Sequence, residues 1–143
     1  MVVRKKTYFL ILVGAGVGAM PNNKNYLWGH EVTMIVDLKG MDTTVLPNFK
    51  GGEKEYKAKM YFDGTTRIMR GTLEQGASIG YHKHETNSEI MFFIAGQGKV
   101  LFDDGVEYVQ AGQCHFCPKG HSHSLINESA EPLEFYACVP ELG

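Results

Sequence analysis

From Met34 to the C-terminus the chain is cut into short apolar runs, each closed by a turn signal, and none of them extends into a convincing long helix. That punctuation is what most restricts the fold. Runs of roughly four to eight residues rich in β-branched and aromatic side chains, bounded by Gly, Asp, Asn and Pro, are strands. AKMYFDGT and TRIMRGTLEQGA read as strands closed by Asp63-Gly64 and Gln75-Gly76. EIMFFIAGQG carries apolar residues on both faces and is expected in the interior, and KVLFDDGVEYVQAG reads as a hairpin turning on Asp104-Gly105. QCHFCP, SHSLIN and LEFYACVP supply further strands, parted by Pro118 to Gly120 and by the polar NESAE. The earlier TTVLPNFKGGEKEYKAK reads as an irregular lead-in with a solvated, charged face. The sum is an all-β domain of antiparallel strands that buries its edges, as jelly rolls and closed barrels do.

At 143 residues the chain has the size of one domain, assigned to residues 34–143, with residues 1–33 as an N-terminal extension. MVVRKK followed by TYFLILVGAGVGAM has the outline of a secretory signal, with small residues at Val17 and Ala19, and is too short for a membrane span. Two other readings stand beside it: an added edge strand, or a segment upstream of a native start at Met34. Gly14, Gly16 and Ala19 after YFLILV also fit a dinucleotide-binding pattern, but the turn-rich PNNKNYLWGHE that follows does not supply the helix such a site needs. A net charge of −2, with no basic block, points away from nucleic acid. Three cysteines are too few and odd in number for a disulfide framework, so a reducing, cytoplasmic location is expected, with export as the alternative if residues 1–19 act as a signal. Cys114 and Cys117 form a C-x-x-C, but on a strand residues three apart face opposite ways.

The chemistry is concentrated in GYHKHETNSE, residues 80 to 89. On a strand His82 and His84 share a face, about 6.5 to 7 Å apart. The polar turn from Glu85 to Ser88 lets the chain reverse and return Glu89 beside them. Two neutral imidazoles and a carboxylate suit a divalent transition metal. A fourth ligand is expected from GQCHFCPKGHSHSLIN, where His121 and His123 both qualify on chemistry alone. His121 otherwise reads as an exposed turn residue, and His115 as a strand residue packed beside Cys117.

These residues resemble the two motifs of the cupin family. Gly76, His82, His84, Glu89 and Gly96 match the first, and Gly112, Pro118, Gly120, His123 and Asn127 match the second. The resemblance covers residues 76 to 127 directly, with flanking strands from about Ala58 to Val139 fitting by pattern. It implies a small jelly-roll barrel in which His82, His84, Glu89 and His123 hold the metal, Asn127 is a fold residue although Asn127-Glu128-Ser129 spells a glycosylation acceptor, and the chain forms a homodimer through apolar outer faces such as that of Ile90, Phe92 and Ile94.

Strand parity nominates Met91 and Phe93, in register with Glu89, and Leu125, in register with His123, as the apolar wall of a small-molecule pocket. Arg67 and Arg70 have opposite parity on one strand, so at most one faces inward. The metal is expected to be one of Mn, Fe, Ni, Cu or Zn. The expected function is a metal-dependent enzyme on a small oxygen-bearing molecule, of dioxygenase, lyase or isomerase type; the alternative is a binding or sensing barrel without turnover.

Overall fold

The computed structural model describes residues 34–143; the signal, edge-strand and dinucleotide readings of the segment before Met34 lie outside the described residues. Among the described residues ten strands follow one another: β1 (Thr44–Pro47), β2 (Glu55–Phe62), β3 (Thr66–Leu73), β4 (Ser78–Lys83), β5 (Glu89–Ala95), β6 (Gln97–Phe102), β7 (Gly105–Gln110), β8 (Cys114–Cys117), β9 (Ser122–Ile126) and β10 (Leu133–Pro140). They form two antiparallel sheets, one of six strands in the order β1-β2-β3-β10-β5-β8 and one of four in the order β4-β9-β6-β7. The arrangement is that of a jelly roll.

Alternation along each strand builds the core between the sheets. On β10 Leu133, Phe135, Ala137 and Val139 are buried, while Glu134, Tyr136 and Cys138 face outward. The six-stranded sheet adds Tyr56, Leu73, Met91 and Phe93, and the four-stranded sheet answers with Ile79, Val100, Val109 and Leu125. Each fully buried aliphatic or aromatic side chain of this kind contributes about 1.5–3 kcal/mol through removal from water.

Three expectations change in detail. The lead-in is not irregular throughout: Thr44–Pro47 pairs with β2 as an edge strand, where Pro47 leaves no ladder bond missing on an inner strand. The β6–β7 hairpin turns on Asp103 and Asp104, since Phe102 pairs with Gly105 and Asp103 takes the positive φ of 40°. Strand β5 is interior within its sheet, between β10 and β8, but Phe92 on its outer face is 51% exposed, paired with the exposed Tyr136, and the exposed Phe116 stands on the same face opposite Ile90. The second layer covers one face of that sheet only, which is why apolar residues on both sides of β5 did not mean burial on both.

Candidate metal centre

The positions of His82 and His84 depend on a bulge in β4. Ser78 pairs with Ile126 and Ile79 with Leu125, but farther on His82 pairs with His123 and Lys83 with Ser122, so β4 carries one extra residue between. An extra residue reverses the parity of everything after it. Ile79 faces the core, Tyr81 is exposed, and His82 and His84 return to the inner side. Gly80 lies within the bulge and admits a close neighbour. A Cβ there would lie 2.1 Å from the Lys50 carbonyl oxygen, because the short turn Phe49–Gly51 packs backbone against backbone on β4. Gly80→Ala should therefore cost about 1–3 kcal/mol in a urea titration by overpacking. A variant as stable as the parent would show that this turn yields freely.

Glu89 arrives from the facing sheet. It opens β5 on the same inner face as Met91 and Phe93, and its carboxylate Oε2 lies 2.9 Å from His123 Nε2 and 3.4 Å from His84 Nε2. The two imidazole Nε2 atoms are themselves 3.0 Å apart. One ligand atom from each of His82, His84, Glu89 and His123 falls within a set spanning no more than 4.8 Å. His84, Glu89 and His123 are buried and His82 is partly so.

Hydrogen bonds on the far side of each ring fix which nitrogen faces the centre. His82 Nδ1 donates to the Gly80 carbonyl at 2.8 Å, and His84 Nδ1 donates to Asn87 Oδ1 at 2.6 Å. Asn87 is oriented in turn by its Nδ2, which donates to Glu141 Oε1. With Nδ1 carrying the proton, each neutral ring presents an Nε2 lone pair inward. Lone pairs and a carboxylate converging at hydrogen-bond distance repel one another unless a cation sits among them. The donor set thus fits a divalent transition metal, with nitrogen and oxygen ligands of the usual kind.

With no cation counted, protons on Nε2 of His123 and His84 would take its place beside the carboxylate. Burial would raise Glu89, but hydrogen bonds from His123 and His84, reinforced by their charge, hold it down to about 2, so the carboxylate is ionised. Burial pulls His84 downward, yet its bonds to Glu89 and Asn87 outweigh this and leave it above the ordinary histidine value. His82 is lowered, chiefly by burial. Burial also pushes the Cys117 thiol up to about 11, while Cys114 is exposed and neither is in a disulfide, in keeping with ordinary strand cysteines.

His121 stands apart from the cluster, on the surface, with Nδ1 2.6 Å from Asp103 Oδ2. Of the two histidines that chemistry alone left open, His123 is the one brought to Glu89. Met91, Phe93 and Leu125 are on the inner faces anticipated for them, buried to 1–2% exposure within the core cluster. Arg70 faces outward, bonded to Glu134 at 2.7 Å, whereas Arg67 shares inner parity with Met69, Gly71 and Leu73 and lies over the Phe62 ring. His115, a buried strand residue on the face of Cys117 as read from sequence, is also bonded to His123. Its partner Glu107 and the Asn87–Glu141 pair had no sequence signal beyond a polar residue opposite a buried one.

A family model described as a cupin domain matches residues 69–139. An oxalate-binding protein from Thermotoga maritima is 32% identical over 113 residues, an alignment taking in 74% of this chain and 93% of that protein. The chain belongs to the cupin family. Among solved cupin-like structures, one described as a predicted oxalate decarboxylase from Thermotoga maritima superposes with a TM-score of 0.71 at 29% identity, covering 76% of this chain and 100% of the other. A cupin 2 conserved barrel domain protein from Salinispora arenicola shares the fold, with a TM-score of 0.56 at 17% identity over 79% of this chain and 91% of its own. In this cupin no helix among the described residues is long and apolar enough to cross a membrane.

Proposed function

We propose that this cupin holds a divalent transition metal on His82, His84, Glu89 and His123 and uses it to act on a small oxygen-rich dianion of the oxalate class, as a lyase rather than a dioxygenase. The observation that carries the reading is the convergence of three inward Nε2 atoms and one ionised carboxylate in a buried, internally hydrogen-bonded set. The names of the Thermotoga maritima relatives, an oxalate-binding protein and a predicted oxalate decarboxylase, support the substrate class. When bound, a divalent ion would supply the positive charge that polarises carboxylate oxygens. Three neutral imidazoles and one carboxylate leave such an ion with a net charge of about +1, which favours an anionic ligand.

The chain's own residues add to this preference. Hydrogen bonds from Asn87 and Thr86, with smaller contributions from the charges of Arg67 and His84, lower Glu141. Arg67, on the inner parity of β3, would suit the outer carboxylate of a short dianion, and the packed core residues Met91, Phe93 and Leu125 would close the inner end of the site and limit its length. Arg67→Met should weaken oxalate binding to metal-loaded protein about tenfold, the loss of one charge-assisted hydrogen bond. Calorimetric titration at unchanged metal content tests it; equal affinity would remove Arg67 from the site.

A second reading, binding without turnover, is favoured by one observation. Among the described residues, the polar groups bonded to the ligand rings are the Gly80 carbonyl, Asn87 and His115, and each is already engaged rather than poised to give a proton. Incubating metal-loaded protein with carbon-13 oxalate under air and under argon separates the cases. Formate and carbon dioxide in both atmospheres support the lyase, oxygen consumption supports a dioxygenase, and saturable binding with intact oxalate supports the binder. No binding at all would sink the substrate class. The unit that would carry this function is residues 34–143, with residues 1–33 an extension to it, and the homodimer implied by the family would bury the outer face of Phe92, Phe116 and Tyr136.

A further inference from the structure

The ring of His123 is held differently from the other two. His82 and His84 bond to partners two and three residues away, but His123 Nδ1 meets His115 Nε2, 3.1 Å distant, on a strand of the opposite sheet. The two rings are nearly coplanar, 18° apart, with centroids separated by 5.2 Å. Near-coplanar rings with nitrogens facing at that distance describe an edge-to-edge N–H···N bond rather than face contact. His115 is 6% exposed, and its other nitrogen, Nδ1, lies 3.2 Å from Oε2 of Glu107, whose side chain is half exposed on β7.

We infer that His115, anchored by Glu107, is a positioning residue that fixes the tautomer and ring plane of the metal ligand His123. The directions follow from what each atom can do. A carboxylate only accepts, so His115 Nδ1 carries the proton it donates to Glu107. A neutral His115 then has an acceptor at Nε2, so His123 must donate from Nδ1. That leaves the His123 Nε2 lone pair turned to Glu89 and His84, the arrangement a metal ligand requires. Because β7 and β9 belong to the four-stranded sheet and β8 to the six-stranded one, the chain of bonds also ties the ligand's position to the spacing of the two layers. Its role toward a metal rests on the metal reading above.

Cobalt(II) alone is the probe. Competition with a chromophoric chelator gives its affinity, and proton NMR of the cobalt form in water reports the exchangeable Nδ1 proton of His123. His115→Phe keeps a ring but removes the acceptor; cobalt affinity should fall about 10- to 100-fold and the proton signal should vanish by fast exchange. His115→Gln restores an acceptor oxygen and should recover most of both. Glu107→Ala, a substitution near the surface that keeps the protein measurable if the phenylalanine variant misfolds, should weaken cobalt several-fold and speed exchange of the same proton. Parent-like affinity and an unchanged proton signal in His115→Phe, or in Glu107→Ala where that variant stands alone, would overturn the inference while leaving the metal site intact. A parent protein that takes up no cobalt would overturn both.

Discussion

His123→Ala should abolish stoichiometric metal retention, weakening affinity at least about 100-fold. Structural metal sites draw roughly 10–16 kcal/mol from four ligands, so losing one removes about 3 kcal/mol or more. His123 is the residue on which the cluster closes: it is 2% exposed, and its Nε2 contacts both Glu89 at 2.9 Å and His84 at 3.0 Å. The stability of the parent should rise with metal, because a ligand that binds only the folded state at about 100 times its Kd adds about 2.7 kcal/mol. For a domain of this size that is roughly 10 °C in Tm. In His123→Ala the metal-dependent rise should disappear. His121→Ala is the control, since that histidine pairs with Asp103 on the surface and should keep both metal and the thermal shift. Elemental analysis and a thermal melt with and without metal decide it. Retention by His123→Ala, or equal loss in His121→Ala, would refute the assignment of the fourth ligand.

Three members of the cluster were readable from the residues and the fourth, His123, from the family resemblance, but the means of assembling it was not. H-x-H tells that two rings share a face; it does not tell which face. Strict alternation from the core residue Ile79 would have sent His82 and His84 outward, and only the extra residue at the β4 bulge turns them in. A lone Gly80 in a strand is the usual mark of such a bulge or of close backbone approach, and here it is both. The hairpin and most strands were legible because Gly and Asp end each run locally. The open outer face of β5 was not, since whether a second layer covers an apolar strand depends on tertiary arrangement. His115 was missed for a related reason. Its burial could be guessed from parity with Cys117, but its bond to His123 links residues on opposite sheets, and no spacing in the chain encodes that register.

Asn127→Ala should cost about 3 kcal/mol of stability, the largest effect expected outside the metal cluster. Asn127 is fully buried, and every polar atom of its side chain is engaged. Nδ2 donates to the carbonyls of Leu73 and Glu131, each at 2.8 Å, while Oδ1 accepts from the Ser129 backbone N–H at 2.9 Å and from its hydroxyl at 2.7 Å. One side chain thereby joins the end of β3 to the loop that leads from β9 into β10. Alanine would leave the buried Leu73 carbonyl without this donor, and an unsatisfied group of that kind costs about 1–3 kcal/mol, with the weakened loop adding to it. Aspartate should be worse at neutral pH, because it removes both donors and sets a negative charge against two carbonyl oxygens. Urea unfolding should show a lower midpoint at unchanged slope, with metal affinity per folded molecule preserved, since none of these four bonds reaches the cluster. A loss below about 1 kcal/mol would mean the loop finds other donors. The same geometry governs the glycosylation signal at Asn127: with its amide nitrogen buried and donating twice, the side chain is closed to modification once the domain has folded.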